Sequence, residues 1–223
     1  MGFSRETVAE AYLRGEGIEI GALHMPLRVP EAARVKYVDR MSVEGLRAHY
    51  PELNDKALVN VDIIADGERL ESVADATQDF VIANHFIEHC QDPIGALLNM
   101  FRVLKPGGVL YLAIPDKRCS FDIDRPVTPL DHLMRDHREG PAWSRRQHFE
   151  EWTRLVNKVT DENEVERQTA ANMEMDYSIH YHVWTQAEML ELLVALGKMC
   201  AFNMDIGLMH ESEVIFVLRK SGG

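Results

Sequence analysis

The sequence predicts an α/β protein of the doubly wound class, with a mostly parallel seven-stranded sheet. Short apolar runs of strand length alternate with helical stretches through the first half of the 223 residues, a rhythm typical of a parallel sheet covered by helices. The rhythm breaks between residues 116 and 180 and resumes near the C-terminus. We therefore expect a single domain over residues 1–223, with a helical cap inserted at residues 116–180, after the fifth strand.

The elements of the first half follow from apolar runs and their breakers. Ser42 is a plausible N-cap for the helix after the second strand. The fourth strand leads into a helix predicted for residues 86–104, which the Pro106-Gly107-Gly108 sequence should end. The five predicted strands are residues 17–21, 35–39, 58–64, 79–84 and 109–115.

The second half is predicted from helical patches and one clear cap. Helical patches at residues 130–138 and 145–159 lie within the inserted cap. Thr185 is the expected N-cap of a helix over residues 186–196, and strands over residues 200–208 and 213–219 complete the sheet. Irregular segments at the carboxyl ends of parallel strands are where such sheets bind ligands, so we expect the cap to border the site.

Composition limits the possible partners and the compartment. The net charge is −12, whereas a protein that neutralises many phosphates needs a basic face, so nucleic acid and anionic membrane surfaces are disfavoured. The longest apolar runs are of strand length, and the first residues lack the apolar core of a signal peptide. The three cysteines are too few and too scattered for a disulfide framework. These features predict a cytoplasmic protein with reduced thiols.

Ordered short motifs carry a family resemblance. They are Glu19-Ile20-Gly21, Asp39, Asp66, Asp79 to His85, Glu88-His89, Asp92-Pro93 and Arg102-Val103-Leu104-Lys105-Pro106-Gly107-Gly108. In this order and spacing they resemble the class I S-adenosylmethionine-dependent methyltransferases, in particular the group with an EH…DP…RVLKPGG middle. The resemblance covers roughly residues 17–115. It implies a Rossmann-like methyltransferase fold, S-adenosylmethionine as cofactor, and methyl transfer to a small-molecule acceptor.

The resemblance also assigns cofactor contacts. It implies that Asp39 accepts hydrogen bonds from the ribose hydroxyls, a role that suits a carboxylate because it offers only acceptors to a diol. A glycine turn lets backbone amides approach the methionine part of the cofactor. Asp66 with Gly67 is implied to contact adenine, and Asn84 with His85 to pass under the sulfonium. The complete set of expected cofactor residues is Glu19, Gly21, Ala22, Asp39, Arg40, Asp66, Gly67, Asn84 and His85.

The first loop departs from the family pattern. The family usually carries two or three glycines here, whereas this chain has Ala22-Leu23-His24 after Gly21. The departure leaves a non-catalytic cofactor-binding module as an alternative function.

A metal hydrolase is a second alternative. The stretch from His85 to His89 matches the H-x-x-E-H zinc signature. On a helix the two histidines would share a face and could in principle hold a metal. We assign no metal ligand, because the methyltransferase group itself carries Glu-His at this place.

Candidates for catalysis and acceptor binding come mainly from the cap. Transfer to a hydroxyl needs a base, and histidine is the usual choice. His180 and His182 would share one face of an extended segment, and His85 is the competing base. Arg118, Tyr181 and Trp184 are the expected substrate contacts. An oxygen of a sugar or glycan precursor is the expected acceptor, and the oligomeric state stays open.

The assigned role of Asp39 generates the first prediction. Replacing Asp39 by alanine should weaken S-adenosylmethionine binding by about 1–3 kcal/mol, because the ribose donors lose their acceptor. Isothermal titration calorimetry measures this change, and Asp55→Ala, outside the motifs, is the control. Unchanged affinity in Asp39→Ala would remove the residue from the cofactor site.

Overall fold

The computed structural model describes residues 2–222, which form one seven-stranded sheet with helices on both faces. The strands are β1 (Gly15–Ile20), β2 (Ala33–Asp39), β3 (Ile63–Ile64), β4 (Gln78–Asn84), β5 (Leu104–Pro115), β6 (Phe202–His210) and β7 (Glu213–Lys220). The helices are α1 (Arg5–Tyr12), α2 (Val43–His49), α3 (Pro93–Val103), α4 (Leu130–Glu139), α5 (Arg145–Leu155), α6 (Glu162–Glu174) and α7 (Gln186–Leu196).

The strand order is β3-β2-β1-β4-β5-β7-β6. The pairs from β3 through β5 are parallel, and β7 runs antiparallel between β5 and β6. The predicted doubly wound, mostly parallel seven-stranded sheet is confirmed. The order reverses at β1, so the edge beside the carboxyl ends of β1 and β4 is a topological switch point, where such sheets bind ligands.

Two apolar cores cover the sheet, one on each face. The larger contains Leu97 of α3, Leu133 of α4 and Leu192 of α7, together with inward residues of the strands. The smaller places Val8 and Ala9 of α1 against the opposite face. A third cluster lies apart from the sheet and contains Phe149, Trp152, Ile179 and Tyr181. The segment of residues 116–180 therefore has an apolar core of its own.

Local capping signals predicted some boundaries well. Thr185 caps α7 in a reciprocal capping box with Glu188, and the helix covers the predicted residues 186–196. Ser42 caps α2 through a hydrogen bond from the Gly45 amide. These boundaries depend on side chains within one helical turn, which a sequence displays directly.

Other elements differ from the prediction. The third strand is only Ile63–Ile64, because β2 pairs with it at two positions. The helix predicted for residues 86–104 is instead a 3₁₀ turn, Ile87–His89, followed by α3, because Asp92 and Pro93 start a new helix. That helix ends at Val103, before the Pro-Gly-Gly sequence, which lies within β5. Helices α1 and α6 were not predicted.

No helix among residues 2–222 is both long and apolar enough to cross a membrane.

Candidate active site

A cavity of about 640 Å³ opens at the carboxyl ends of β1, β2 and β4. Its walls come from the strand ends, from the turn before α3 and from the end of the 116–180 segment. The lining residues are Ile20, Gly21, Leu23, Asp39, Arg40, Leu46, Tyr50, Glu52, Leu53, Asp66, Gly67, Glu68, His85, Phe86, His89, Gln91, Asp176, Tyr177, Ser178 and Tyr181. Six of the nine expected cofactor residues therefore line one cavity: Gly21, Asp39, Arg40, Asp66, Gly67 and His85.

Two glycines keep part of the cavity wall bare. Gly21 follows β1 with φ of +65°, a conformation that L side chains rarely adopt. A Cβ on Gly67 would lie 2.6 Å from both Ile20 Cγ2 and Phe86 Cζ, so no larger residue fits without displacing them. The backbone at Gly21 can therefore approach a ligand closely, while Gly67 allows Ile20 and Phe86 to pack against the loop after β3.

Carboxylates surround this bare wall. Asp39, at the end of β2, accepts a hydrogen bond from the Arg40 amide at 2.7 Å, and burial raises the pKa of its carboxyl group. Asp66 accepts from the Glu68 amide at 2.9 Å. Glu68 in turn accepts from the amides of Gln91 at 2.9 Å and Asp92 at 3.2 Å, while burial raises its pKa. These bonds hold the loop after β3 against the turn before α3.

Arg40 connects the end of β2 to the 116–180 segment. Its guanidinium donates to Asp176 Oδ2 at 3.0 Å and to the Tyr50 hydroxyl at 2.6 Å. Because all three residues line the cavity, the arginine joins its walls across the opening. The positive charge of Arg40 is therefore already paired with the Asp176 carboxylate.

Three of the expected cofactor residues lie outside the cavity lining. Glu19 is buried behind the loop and accepts the Leu27 amide through both oxygens, at 3.0 and 3.2 Å. Ala22 borders a small void on the other side of the same loop. Asn84 points elsewhere, and both polar atoms of its amide are buried without a hydrogen-bond partner in residues 2–222. Glu19 therefore orders the loop after β1 through its bonds to Leu27, and it does not face the cavity.

His85 stands directly after β4 in a left-handed conformation, with φ of +48°. Its Nε2 atom lies 2.7 Å from Glu213 Oε2 and 2.7 Å from Arg5 Nη2. Burial alone would raise the pKa of Glu213, but hydrogen bonds from Arg5 and His85 lower it to about 2. The imidazole is thus held at the cavity wall beside an ionised carboxylate. Sequence reasoning missed Glu213 and Arg5, because α1 was not predicted and β7 is remote in sequence.

His180 and His182 do not line the cavity, which corrects the expectation that they face the reacting centre. They are buried and enter two different side-chain clusters. His180 Nδ1 lies 2.6 Å from Asp122 Oδ2, while His182 packs beside His132 and His148. Burial also lowers the pKa of His182 well below its ordinary value. In this conformation His180 is hydrogen-bonded within the protein, whereas His182 has only the Gln91 carbonyl, 3.4 Å from its Nε2 atom, and no partner for Nδ1 among residues 2–222.

The expected substrate residues are also divided. Tyr181 lines the cavity, and burial raises the pKa of its hydroxyl to about 12. Trp184 is buried beside His182 and does not reach the lining. Arg118 pairs with the buried Asp116 carboxylate at 2.7 Å and also lies outside the lining. Only the tyrosine is placed to meet a molecule in the cavity.

The H-x-x-E-H stretch does not form the expected helical metal face. His85 precedes a single 3₁₀ turn, Ile87–His89, and is not on a helix. His89 Nδ1 donates to the Ile179 carbonyl at 2.9 Å. Among the described residues, the grouping that could hold a metal near this stretch contains Glu88, His89 and His180, without His85. The geometry that the hydrolase alternative requires is absent from this part of the chain.

Comparisons with known proteins identify the domain that contains this cavity. Residues 17–112 match the family model described as a methyltransferase domain. No curated protein matches the chain.

Solved structures share the fold at low identity. A SAM-dependent methyltransferase from Aquifex aeolicus is 13% identical with a TM-score of 0.50, and the match covers 96% of this chain and 85% of that one. A possible histamine N-methyltransferase from Thermotoga maritima is 16% identical with a TM-score of 0.51, covering 93% and 83%. A SAM-dependent methyltransferase from Methanosarcina mazei is 18% identical with a TM-score of 0.51, covering 96% of both chains.

The strand order and the cavity are those of an α/β protein with a ligand site at its switch point. The match over residues 17–112 shows that the chain carries a methyltransferase domain of the S-adenosylmethionine-dependent class. S-adenosylmethionine is its methyl donor. The residues present fit this donor, because the backbone of Gly21, with φ of +65°, and the Asp39 carboxylate both stand at the cavity wall.

The burial of Glu19 generates a prediction about pH. Burial raises its pKa from 4.5 to about 7, so the folded state holds the proton more tightly than the unfolded state. The contribution of this group to stability is therefore greatest below pH 4.5 and is lost as the pH rises to about 7. Between pH 5 and pH 8, Glu19→Gln should gain about 2 kcal/mol in unfolding free energy relative to the parent protein.

Urea unfolding at the two pH values measures this difference. Glu16→Gln is the matched control, because Glu16 lies on the same strand with an exposed side chain. The control should follow the parent protein at both pH values. Parallel behaviour of Glu19→Gln and the parent protein would show that the buried carboxyl group titrates normally.

Proposed function

We propose that the enzyme methylates an oxygen of a small, uncharged, polyhydroxylated molecule, such as a sugar or a glycan precursor. The lining of the cavity supports this proposal. Its carboxylates, at Asp39, Glu52, Asp66, Glu68 and Asp176, outnumber its single guanidinium, which already pairs with one of them. Carboxylates accept hydrogen bonds from hydroxyl groups, and the same negative charge opposes phosphate groups and hence nucleic acid.

In this proposal the donor and the acceptor occupy different parts of the same cavity of about 640 Å³. We assign the donor to the strand ends, with Gly21, Asp39, Asp66 and Gly67 as its contacts. The other end offers Tyr50, Glu52, Tyr177, Ser178 and Tyr181. Tyrosine and serine hydroxyls both donate and accept, and aromatic rings pack well on the apolar faces of sugars. In this proposal residues 116–180 act as the substrate cap of a single domain.

His85 is the proposed base. When bound, S-adenosylmethionine supplies an electrophilic methyl group. Because Arg5 can only donate, His85 Nε2 either accepts from Arg5 Nη2 or donates to Glu213. The proposal requires the second tautomer, which gives up the Arg5 contact and leaves Nδ1 as the atom that accepts the proton of the hydroxyl. The ionised Glu213 then stabilises the imidazolium that forms. His180 and His182 lack this arrangement, because their imidazoles lie outside the cavity lining.

A cytoplasmic location is also part of the proposal. It rests on the three cysteines, which are free thiols in the structure.

Methyl transfer from labelled donor to a panel of acceptors tests the acceptor class. Neutral sugars and sugar-containing precursors should be methylated at oxygen, whereas phosphorylated analogues of the same sugars should react much more slowly. Faster methylation of amines of matched size would show that the acceptor atom is nitrogen and not oxygen. Equal rates with phosphorylated and neutral sugars would contradict the argument from the carboxylates.

The proposed base generates a kinetic prediction. His85→Ala should lower the rate of the chemical step by roughly 10²–10⁴, because the hydroxyl then loses its proton acceptor. Donor affinity should stay nearly constant. Single-turnover kinetics gives the rate, and calorimetry gives the affinity. His210→Ala, a half-buried histidine of β6 outside the lining, is the control. Near-normal single-turnover rates in His85→Ala would exclude it as the base.

A further inference from the structure

A second cluster of polar side chains lies between the 116–180 segment and the stretch that follows it, away from the cavity lining. His132 and Asp136 stand one turn apart on α4, His148 lies on α5, and His182 comes from the extended stretch before α7. Asp136, His148 and His182 are buried, and the side chain of His132 is 16% exposed. One atom from each of these four residues lies within 4.8 Å of the others.

The separations match the edges of a small coordination shell. His132 Nε2 lies 3.0 Å from His148 Nε2 and 3.1 Å from Asp136 Oδ2, and His182 Nε2 lies 3.7 Å from the same oxygen. In a tetrahedral zinc site with bonds of about 2.0–2.1 Å, ligand atoms stand about 3.3 Å apart. The observed distances lie on both sides of that value.

Hydrogen bonds within the protein do not satisfy this cluster. His132 Nε2 carries at most one proton, yet it faces both a histidine nitrogen and a carboxylate oxygen. Asp136 Oδ2 and His182 Nδ1 are buried without a hydrogen-bond partner among residues 2–222. In the same described range, the ion-pair partners of Asp136 are histidines. A buried carboxylate without a cation is costly, and a divalent cation at the centre would remove that cost.

We propose that His132, Asp136, His148 and His182 bind one zinc-type divalent cation in a closed tetrahedral site. Three imidazoles and one carboxylate are ligands that Zn²⁺ accepts, and four protein ligands leave no open position for substrate. The Ser144 hydroxyl also orients the Asp136 carboxylate, because it donates a hydrogen bond to the other carboxylate oxygen, Oδ1, at 2.8 Å. Such outer partners are typical of metal ligands. The site departs from the sequence-based prediction that the protein has no metal ligand.

The cation would hold the 116–180 segment together. It would connect two neighbouring helices, α4 and α5, to the stretch before α7, which follows more than 25 residues later. Tyr181, next to His182, lines the cavity, so this connection also fixes one wall of the site. The role is structural, and it is independent of the identity of the acceptor.

The neighbouring cluster of Glu88, His89 and His180 is a weaker candidate for a metal. His180 is already bonded to Asp122 at 2.6 Å, and His89 donates to a backbone carbonyl. Both histidines therefore have closer protein partners than His182, whose Nε2 atom lies 3.4 Å from the Gln91 carbonyl. This contrast selects the His132 cluster.

Metal binding alone tests the proposal. The full-length protein is stripped with a chelator and then titrated with Zn²⁺ against a chromophoric competitor. We expect about one equivalent to bind tightly and the melting temperature to rise with zinc concentration. Cobalt(II) in place of zinc should give the intense visible absorption of a tetrahedral site. Binding below a tenth of an equivalent, or an octahedral cobalt spectrum, would overturn the proposal.

Variants locate the site. Asp136→Asn keeps the shape of the ligand, and His148→Gln keeps a polar side chain, so at least one should fold. Each should weaken zinc binding more than about 100-fold, since losing an outer partner alone costs 10–100-fold. His210→Gln is the matched control and should bind like the parent protein. Unchanged zinc affinity in the folded Asp136→Asn or His148→Gln protein would place the metal elsewhere and refute the assignment.

Discussion

The parallel pairing of β1 with β4 is the constraint on which the rest of the structure depends. Gly17 faces Phe80 in this register, and the absence of a side chain at Gly17 leaves room for the aromatic ring and the Phe80 carbonyl. Because β2 and β4 flank β1 in the same direction, their carboxyl ends meet at one edge of the sheet. Gly21, Asp39 and His85 thereby reach one cavity although they are far apart in sequence. Without this register the donor site would not exist.

Buried charge is the second organising feature, and it concentrates around the site. Arg125 is almost completely buried and pairs with Asp122 at 3.0 Å and with Glu151 at 2.7 Å. It also donates to the His180 carbonyl at 2.7 Å. Buried ion pairs of this kind stabilise a protein little more than apolar packing would, because both charges lose their hydration. Removing one partner is nevertheless strongly destabilising, because the other charge is left buried and unpaired. In the 116–180 segment they fix the path of the chain that supplies Tyr181 to the cavity.

Much of the sheet was predictable because its signals are local. Apolar runs ended by glycine or an acidic residue placed four of the first five strands to within a few residues, apart from the early start of β5. The exception, β3, is an edge strand whose length depends on where β2 stops pairing, and no local pattern reveals that. Helix α3 began later than predicted, because Asp92 and Pro93 are a stronger start signal than the apolar pattern before them.

The sequence by itself determined that Gly21, Asp39, Asp66, Gly67 and His85 each adjoin or closely follow a strand end, and they line one cavity because parallel strands end at a common edge. Only the tertiary structure decided which groups these residues meet. His85 and Glu213 are separated by 128 positions, and they meet because β7 inserts beside β5. His180 and His182 lie in two different clusters because of how the 116–180 segment packs, with His180 bonded to Asp122 and His182 beside His148. Contacts between positions distant in sequence depend on how helices and strands pack together, and local sequence patterns do not reveal that packing.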